Sequence, residues 1–238
     1  MITETQLTEI RNYLLSKKLP IDILIEVNDH FISQISDLQR DENLSFDEAF
    51  EKVKENWKEE LHLFWDKTWD LVDTNKLNKK INKENNITIL KLSLKLFATL
   101  FVILFILAKF FNQITFNYIV NVILFTITFF PILQLIVQYK NFKLIKKYEN
   151  YKLTYFQDGS LLSLSTLGVF FNSISKLNTN SDYIYQLLNF NIINYPNNNP
   201  TLNMLILLFL SLGNFYIIIS QKNYLRQIQK VKPFLKYL

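Results

Sequence analysis

The amino-acid sequence predicts an all-α protein, with a three-helix cytoplasmic domain followed by a four-helix transmembrane bundle. Three observations carry this expectation. Apolar residues recur at helical spacing through the first 86 residues, and long apolar runs dominate the remainder. Turn residues are scarce, with three Gly and five Pro in 238 residues. Charge divides the chain at the same place. Residues 1–86 hold 12 Lys or Arg against 18 Asp or Glu (net −6), and residues 87–238 hold 14 against 3 (net +11), which sum to the +5 of the whole chain. The basic residues fall in short clusters between apolar runs rather than in one patch. Membrane topology explains that pattern, and no direct nucleic-acid binding is expected.

The N-terminal domain, 1–86, reads as three amphipathic helices. The first, about Glu4–Lys17, repeats Leu7, Ile10, Leu14 and Leu15, with Thr3 and Gln6 at capping-box spacing. Leu19–Pro20 breaks it, and Pro20 suits the first position of a second helix. There Leu24, Val27, Phe31, Ile35 and Leu38 form one stripe, widened by Ile21, Ile25 and Ile32. Asp22, Glu26, Asp29, Ser33 and Asp37 line the opposite face. Ser45 and Glu48 form a second capping box, opening a third helix expected to run through Trp57, Leu61, Phe64, Trp65 and Val72 to about Lys80. Three such helices can share a small core.

The run L-T-E-I-R-N-Y-L (7–14), the L-P break (19–20), E-V-N-D-H-F (26–31) and S-F-D-E-A (45–49) together resemble the HAAS-type helical domain over about residues 5–60. The resemblance implies a cytoplasmic helical module ahead of several transmembrane helices, associated with PadR-like transcriptional regulators.

A bilayer core about 30 Å thick needs about 20 apolar residues in a helix. Four segments qualify, at about 87–111, 116–139, 155–175 and 201–220. The second has the strongest signal: Ile119–Val137 holds fourteen Ile, Leu, Val or Phe residues and no charge. The third is short and Ser-rich, and reads either as a short span or as a re-entrant segment. Lys140, Lys143, Lys146, Lys147 and Lys152 follow the second run, and Lys222, Arg226, Lys230, Lys232 and Lys236 occupy the basic cytoplasmic tail 221–238. The connections 110–115 and 176–200 are nearly free of positive charge. The positive-inside rule therefore places both termini in the cytoplasm of a multi-pass protein of the cell inner (plasma) membrane. The Asn-rich stretch 176–200 reads as an outside loop whose Tyr183–Leu188 and Phe190–Ile193 lie on the membrane interface. Residues 1–20 lack the apolar core of a secretory signal.

The chemistry available is narrow. With no Cys there are no thiolate nucleophiles or Cys-ligated metals. Three Gly leave no phosphate-cradling loop, and GxxxxGK[ST], GxGxxG, HExxH and GxSxG are all absent. His30 with Glu26, and His62 with Asp66, have the spacing of a divalent-metal pair, although a solvated His explains both more simply. Local carboxylates would raise either pKa, so pH sensing is a further reading. Asp22, Glu26, Asp29, His30 and Asp37 are candidates for docking a basic partner, or are an ordinary solvated face. Trp57, Trp65 and Trp69 suit core and interface anchoring. Within the spans, Gln134 beside Pro131, with Asn121, Asn203 and Asn214, either lines a polar path or bonds between helices.

The expectation is a non-enzymatic protein without catalytic residues, metal or cofactor, held among membrane lipids, whose cytoplasmic head signals to or sequesters a regulator. Its partner would be a PadR-like regulator or a companion membrane subunit. The alternatives are a small transport or channel subunit, or a structural subunit of an envelope complex.

Overall fold

The computed structural model describes residues 2–65, 73–144, 177–191 and 200–232. The third expected span (155–175), Asp66, Trp69 and the tail beyond Lys232 lie outside the described residues. The chain divides into two units, the first built on Met1–Asn86 and the second containing Ile87–Phe142.

In the first unit the helices are α1 (Glu4–Ser16), α2 (Ile21–Asp41), α3 (Phe46–Asn56) and the single turn α4 (Lys58–Leu61). Both capping boxes form. The Thr3 amide donates to Gln6 Oε1 at 2.8 Å, and the Gln6 amide donates to Thr3 Oγ1 at 3.4 Å. The Ser45 amide donates to Glu48 Oε2 at 3.0 Å, and the Glu48 amide returns to Ser45 Oγ at 3.3 Å. Pro20 stands one place earlier than expected. Its ψ of 145° is extended, so it caps α2 rather than opening it, and its carbonyl accepts from the Leu24 amide at 2.7 Å.

The core combines Ile10 and Leu14 of α1, Leu24, Val27, Phe31 and Ile35 of α2, and Phe46, Ala49, Phe50 and Val53 of α3. The expected stripes supply it, with Ile23 as a buried addition that they omitted. Rings meet at its centre, where Phe31 lies 5.9 Å from Tyr13 and 5.7 Å from Trp57.

The third helix does not continue to Lys80. It ends at Asn56, and His62 turns extended (ψ 124°). Strands β1 (Leu63–Trp65) and β2 (Asp73–Asn75) then pair antiparallel, Leu63 opposite Asn75 and Trp65 opposite Asp73. The reason lies in Leu63-Phe64-Trp65. Three consecutive large apolar residues lose the helical period, and aromatic residues favour a pleated surface. A new helix, α5 (Lys76–Phe110), starts after this hairpin.

Asn75 joins three of these pieces. Buried at 1% exposure, it donates from Nδ2 to the Lys17 carbonyl at 3.4 Å, while its Oδ1 accepts from the Asn78 amide at 2.8 Å. One side chain thus caps α5 and ties β2 to the end of α1. Asn75→Ala is expected to cost about 1–2 kcal/mol, measured as faster amide exchange in the first turn of α5 and a lower denaturant midpoint for the head.

The second unit contains α6 (Gln113–Val137), the short α7 (Tyr139–Leu144) as far as Phe142, α8 (Leu177–Leu188) and α9 (Pro200–Val231) as far as Asn223. Among the described residues, α5 and α6 are the helices long and apolar enough to cross a membrane. Asn112 caps α6, its Oδ1 accepting from the Thr115 amide at 3.0 Å. Leu100, Leu104 and Ala108 of α5 cluster with Phe116, Val120 and Leu124 of α6 and with Ile184 and Leu188 of α8. The other faces stay apolar yet exposed, including Val102 and Ile106 on α5 and Val122, Phe125 and Leu133 on α6.

Two expectations change here. The Asn-rich stretch is not simply a loop. Tyr183, Ile184, Leu187 and Leu188 share a helical face, and that amphipathic pattern overrides the turn preference of Asn from Leu177 to Leu188. The fourth apolar run also continues past Ser220 as helix to Val231, so most of the expected basic tail is helical, with Tyr224, Ile228 and Val231 buried.

Candidate functional site

Helix α2 presents the expected acidic face. Glu26, Asp29, His30, Ser33 and Asp37 are exposed, whereas Asp22 is half-buried. The charge on this face is not uniform. Arg40 donates to Asp37 at 3.0 Å and to Asp41 at 2.8 Å, and the Arg40 bond holds the Asp41 carboxyl below the usual carboxylate range. These pairs are exposed and contribute little to stability.

Beside the acidic face lies a groove of about 420 Å³ between α2 and α3. Leu38, Val53 and Trp57 give it an apolar floor, and Gln34, Asp37 and Asn56 a polar edge. Trp57 is fixed there because its Nε1–H donates to Gln34 Oε1 at 3.0 Å, and His30 lies against the same indole, with ring centres 6.4 Å apart. Tyr13 works from the other side of the core. Burial, then Glu51 and Glu55, pushes its hydroxyl pKa up, and the Lys17 ammonium sits 4.7 Å from its ring.

The pairing of His62 with Asp66 falls outside the described residues. His62 is exposed at the end of α4, and among the described residues no three His, Asp or Glu side chains are placed to hold a metal. Of the tryptophans, Trp57 packs on the core edge and Trp65 is exposed on β1.

Glu48 gives the head a pH dependence. Hydrogen bonds from the Ser45 hydroxyl and amide hold its carboxyl below the ordinary value of 4.5. A depressed pKa contributes stability above the unfolded value and loses it as pH falls through the folded one. Acidification from pH 5 downward is therefore expected to loosen the start of α3, and Glu48→Gln to weaken that acid dependence, read by helical circular dichroism against pH.

In the second unit, α6 carries polar residues down one face. Gln113, Asn117, Asn121 and Thr128 recur at spacings of four, four and seven, and Pro131 extends the line. At one end, Gln113 Nε2 (2.7 Å) and Asn117 Nδ2 both donate to Asp182 Oδ1 of α8. Gln186 Nε2 donates to Gln113 Oε1 at 3.2 Å. The α5–α6 turn is closed by the same helix and its C-terminal residue. The Tyr185 hydroxyl donates to the Phe111 carbonyl at 3.3 Å, Asn189 Nδ2 to the Ala108 carbonyl at 3.2 Å, and Lys109 Nζ to Asn189 Oδ1 at 3.0 Å. Asp182 thereby meets the positive end of α6, and Lys109 lies at the negative end of α5.

Toward the other end, α6 meets α9. Buried Asn214 donates to Thr128 Oγ1 at 3.5 Å, and buried Gln221 donates from Nε2 to the Pro131 carbonyl at 3.2 Å. Gln134, expected beside the proline, has a buried carbonyl oxygen with no hydrogen-bond partner among the described residues. The expected polar set is thus partly assembled. Asn214 joins α6, Asn121 lies half-buried on the shared face, and Gln134 falls one turn beyond Pro131. Thr128, Gln221 and Asp182 were missed, although the spacing of Gln113, Asn117 and Thr128 already places three polar residues on one side of α6.

No protein-family model, curated protein or solved structure matches the chain.

Proposed function

We propose that this is a multi-pass membrane protein whose helical head docks a cytoplasmic protein partner, with no chemistry of its own. The observation that carries the docking role is the pairing of an exposed acidic helix face with an apolar groove beside it, floored by Leu38, Val53 and Trp57. Such a surface fits an amphipathic helix with a basic edge, which would place apolar residues in the groove and cations against Glu26, Asp29 and Asp37. The resemblance of residues 5–60 to HAAS-type domains makes a PadR-like regulator the first partner to test.

The proposed topology has four crossings with both termini in the cytoplasm. Two features support it. The exposed apolar faces of α5 and α6 suit hydrocarbon better than water. The chain also leaves α6 at Val137 and returns at α8 beside the opposite end of that helix, about 37 Å away at 1.5 Å per residue over its 25 residues.

A photo-crosslinking residue at Asn56 of the full-length protein in its native membrane tests the docking role. The expected result is one discrete protein adduct that falls at least five-fold when Glu26→Gln, Asp29→Asn and Asp37→Asn are combined. Adducts that are absent, or unchanged in the triple variant, overturn the reading.

A further inference from the structure

The seam between α6 and α9 holds hydrogen-bonding capacity that no described residue uses. Asn214 Oδ1, Gln221 Oε1, Gln134 Oε1 and Ser220 Oγ are all buried without a hydrogen-bond partner among the described residues. Asn214 is fully buried, and Gln221 and Ser220 nearly so. The amide nitrogens of Asn214 and Gln221 are already committed to Thr128 and to the Pro131 carbonyl. What remains is therefore almost entirely acceptor oxygen. Pro131 adds to it, because it has no N–H to give to the carbonyl of Ile127 four residues earlier.

These groups fall close together along the helices. Gln134 lies one turn beyond Pro131, and Gln221 reaches back to the Pro131 carbonyl from α9. Ser220 is its chain neighbour, and Asn214 stands two turns away on the same face, about 10 Å along the axis.

We propose that this oxygen-lined stretch of the seam beside Pro131, with Gln134, Gln221 and Ser220 as its side-chain ligands, binds an alkali-metal cation. Buried oxygens left without donors are destabilising, so the seam calls for an electropositive occupant. An anion finds few donors there. A divalent cation demands carboxylates to replace its tightly held water, and the site contains none. A monovalent cation has the weaker hydration that neutral carbonyl and hydroxyl oxygens can replace. The inference is independent of the docking role of the head.

The test uses the full-length protein in lipid nanodiscs, with sodium, potassium and choline chlorides compared at equal ionic strength. The expected result is saturable binding of radiolabelled sodium or rubidium at about one per chain, and a thermal midpoint several degrees higher in an alkali salt than in choline. Gln134→Leu and Gln221→Leu should each weaken binding at least ten-fold. Gln134→Glu, which keeps the reach, adds a carboxylate and leaves the Gln221–Pro131 bond in place, should strengthen it at least ten-fold, and this arm stands even where a Leu variant fails to fold. Equal midpoints in the three salts with no saturable binding would mean that water alone fills the seam, and would overturn the proposal. Binding that is indifferent to the Gln134→Glu change would overturn it as well.

Discussion

Phe31→Ala is expected to cost the head about 3–5 kcal/mol, the usual penalty for emptying a buried aromatic site. Phe31 is fully buried on α2, and its ring packs against both Tyr13 of α1 and Trp57 after α3. It therefore links all three helices. A helical domain of under ninety residues has little stability in reserve, often near the low end of the 5–15 kcal/mol range. The substitution should leave the head largely unfolded while the apolar helices persist. Amide exchange on the full-length protein in nanodiscs reads both at once. Protection in α2 and α3 should fall to near zero, and that in α6 should be unchanged. Phe31→Leu, which keeps most of the volume, should cost less than about 1.5 kcal/mol. Wild-type protection in the Ala variant would mean that the shared core does not hold the head together.

The second large effect concerns the surroundings of α5. Val102 is 59% exposed on this helix. In water, exchanging such a residue for Asp would change stability by no more than about 0.5 kcal/mol. In hydrocarbon the same change should cost about 2.5–3.5 kcal/mol in insertion free energy, because no partner compensates the carboxylate. Val102→Asp is thus expected to divert most of the protein from the membrane fraction to aggregates or degradation. Val102→Leu should behave as wild type. Membrane fractionation with alkaline extraction gives the measurement, and normal insertion of the Asp variant would show that α5 does not meet lipid.

Much of the head was legible in the sequence because its signals are local. The Thr3–Gln6 and Ser45–Glu48 boxes form as their spacing predicts, and the stripes on α1, α2 and the start of α3 are the ones buried. The break after Asn56 was not legible. Phe64 and Trp65 extend the apolar count of a helix, and only pairing with Asp73–Asn75 shows that they belong to a strand. Helix α8 was obscured for a similar reason. Asn residues signalled a turn, whereas the bonds of Asp182 to Gln113 and Asn117 come from residues more than sixty positions apart. The acidic face of α2 could be read directly, yet the groove beside it depends on how Trp57 docks on Gln34. For the polar seam, residue type pointed to Gln134, Asn121 and Asn214. The role of Gln221 appears only once α9 is seen to continue as helix past the end of its apolar run.

The connection between α5 and α6 is only Phe111–Asn112, and under the proposed topology it emerges on the far side of the bilayer. Lys109 is the one charged residue in the sequence between Leu96 and Tyr139, and Phe110, Ile114 and Phe116 beside it are apolar. A helical pair with so little charge at its tip can enter the bilayer as a single loop, without threading a hydrophilic stretch through a translocation pore. Biogenesis of this part of the chain should then depend more on an insertase that accepts short hairpins than on the motor-driven export used for long extracellular domains.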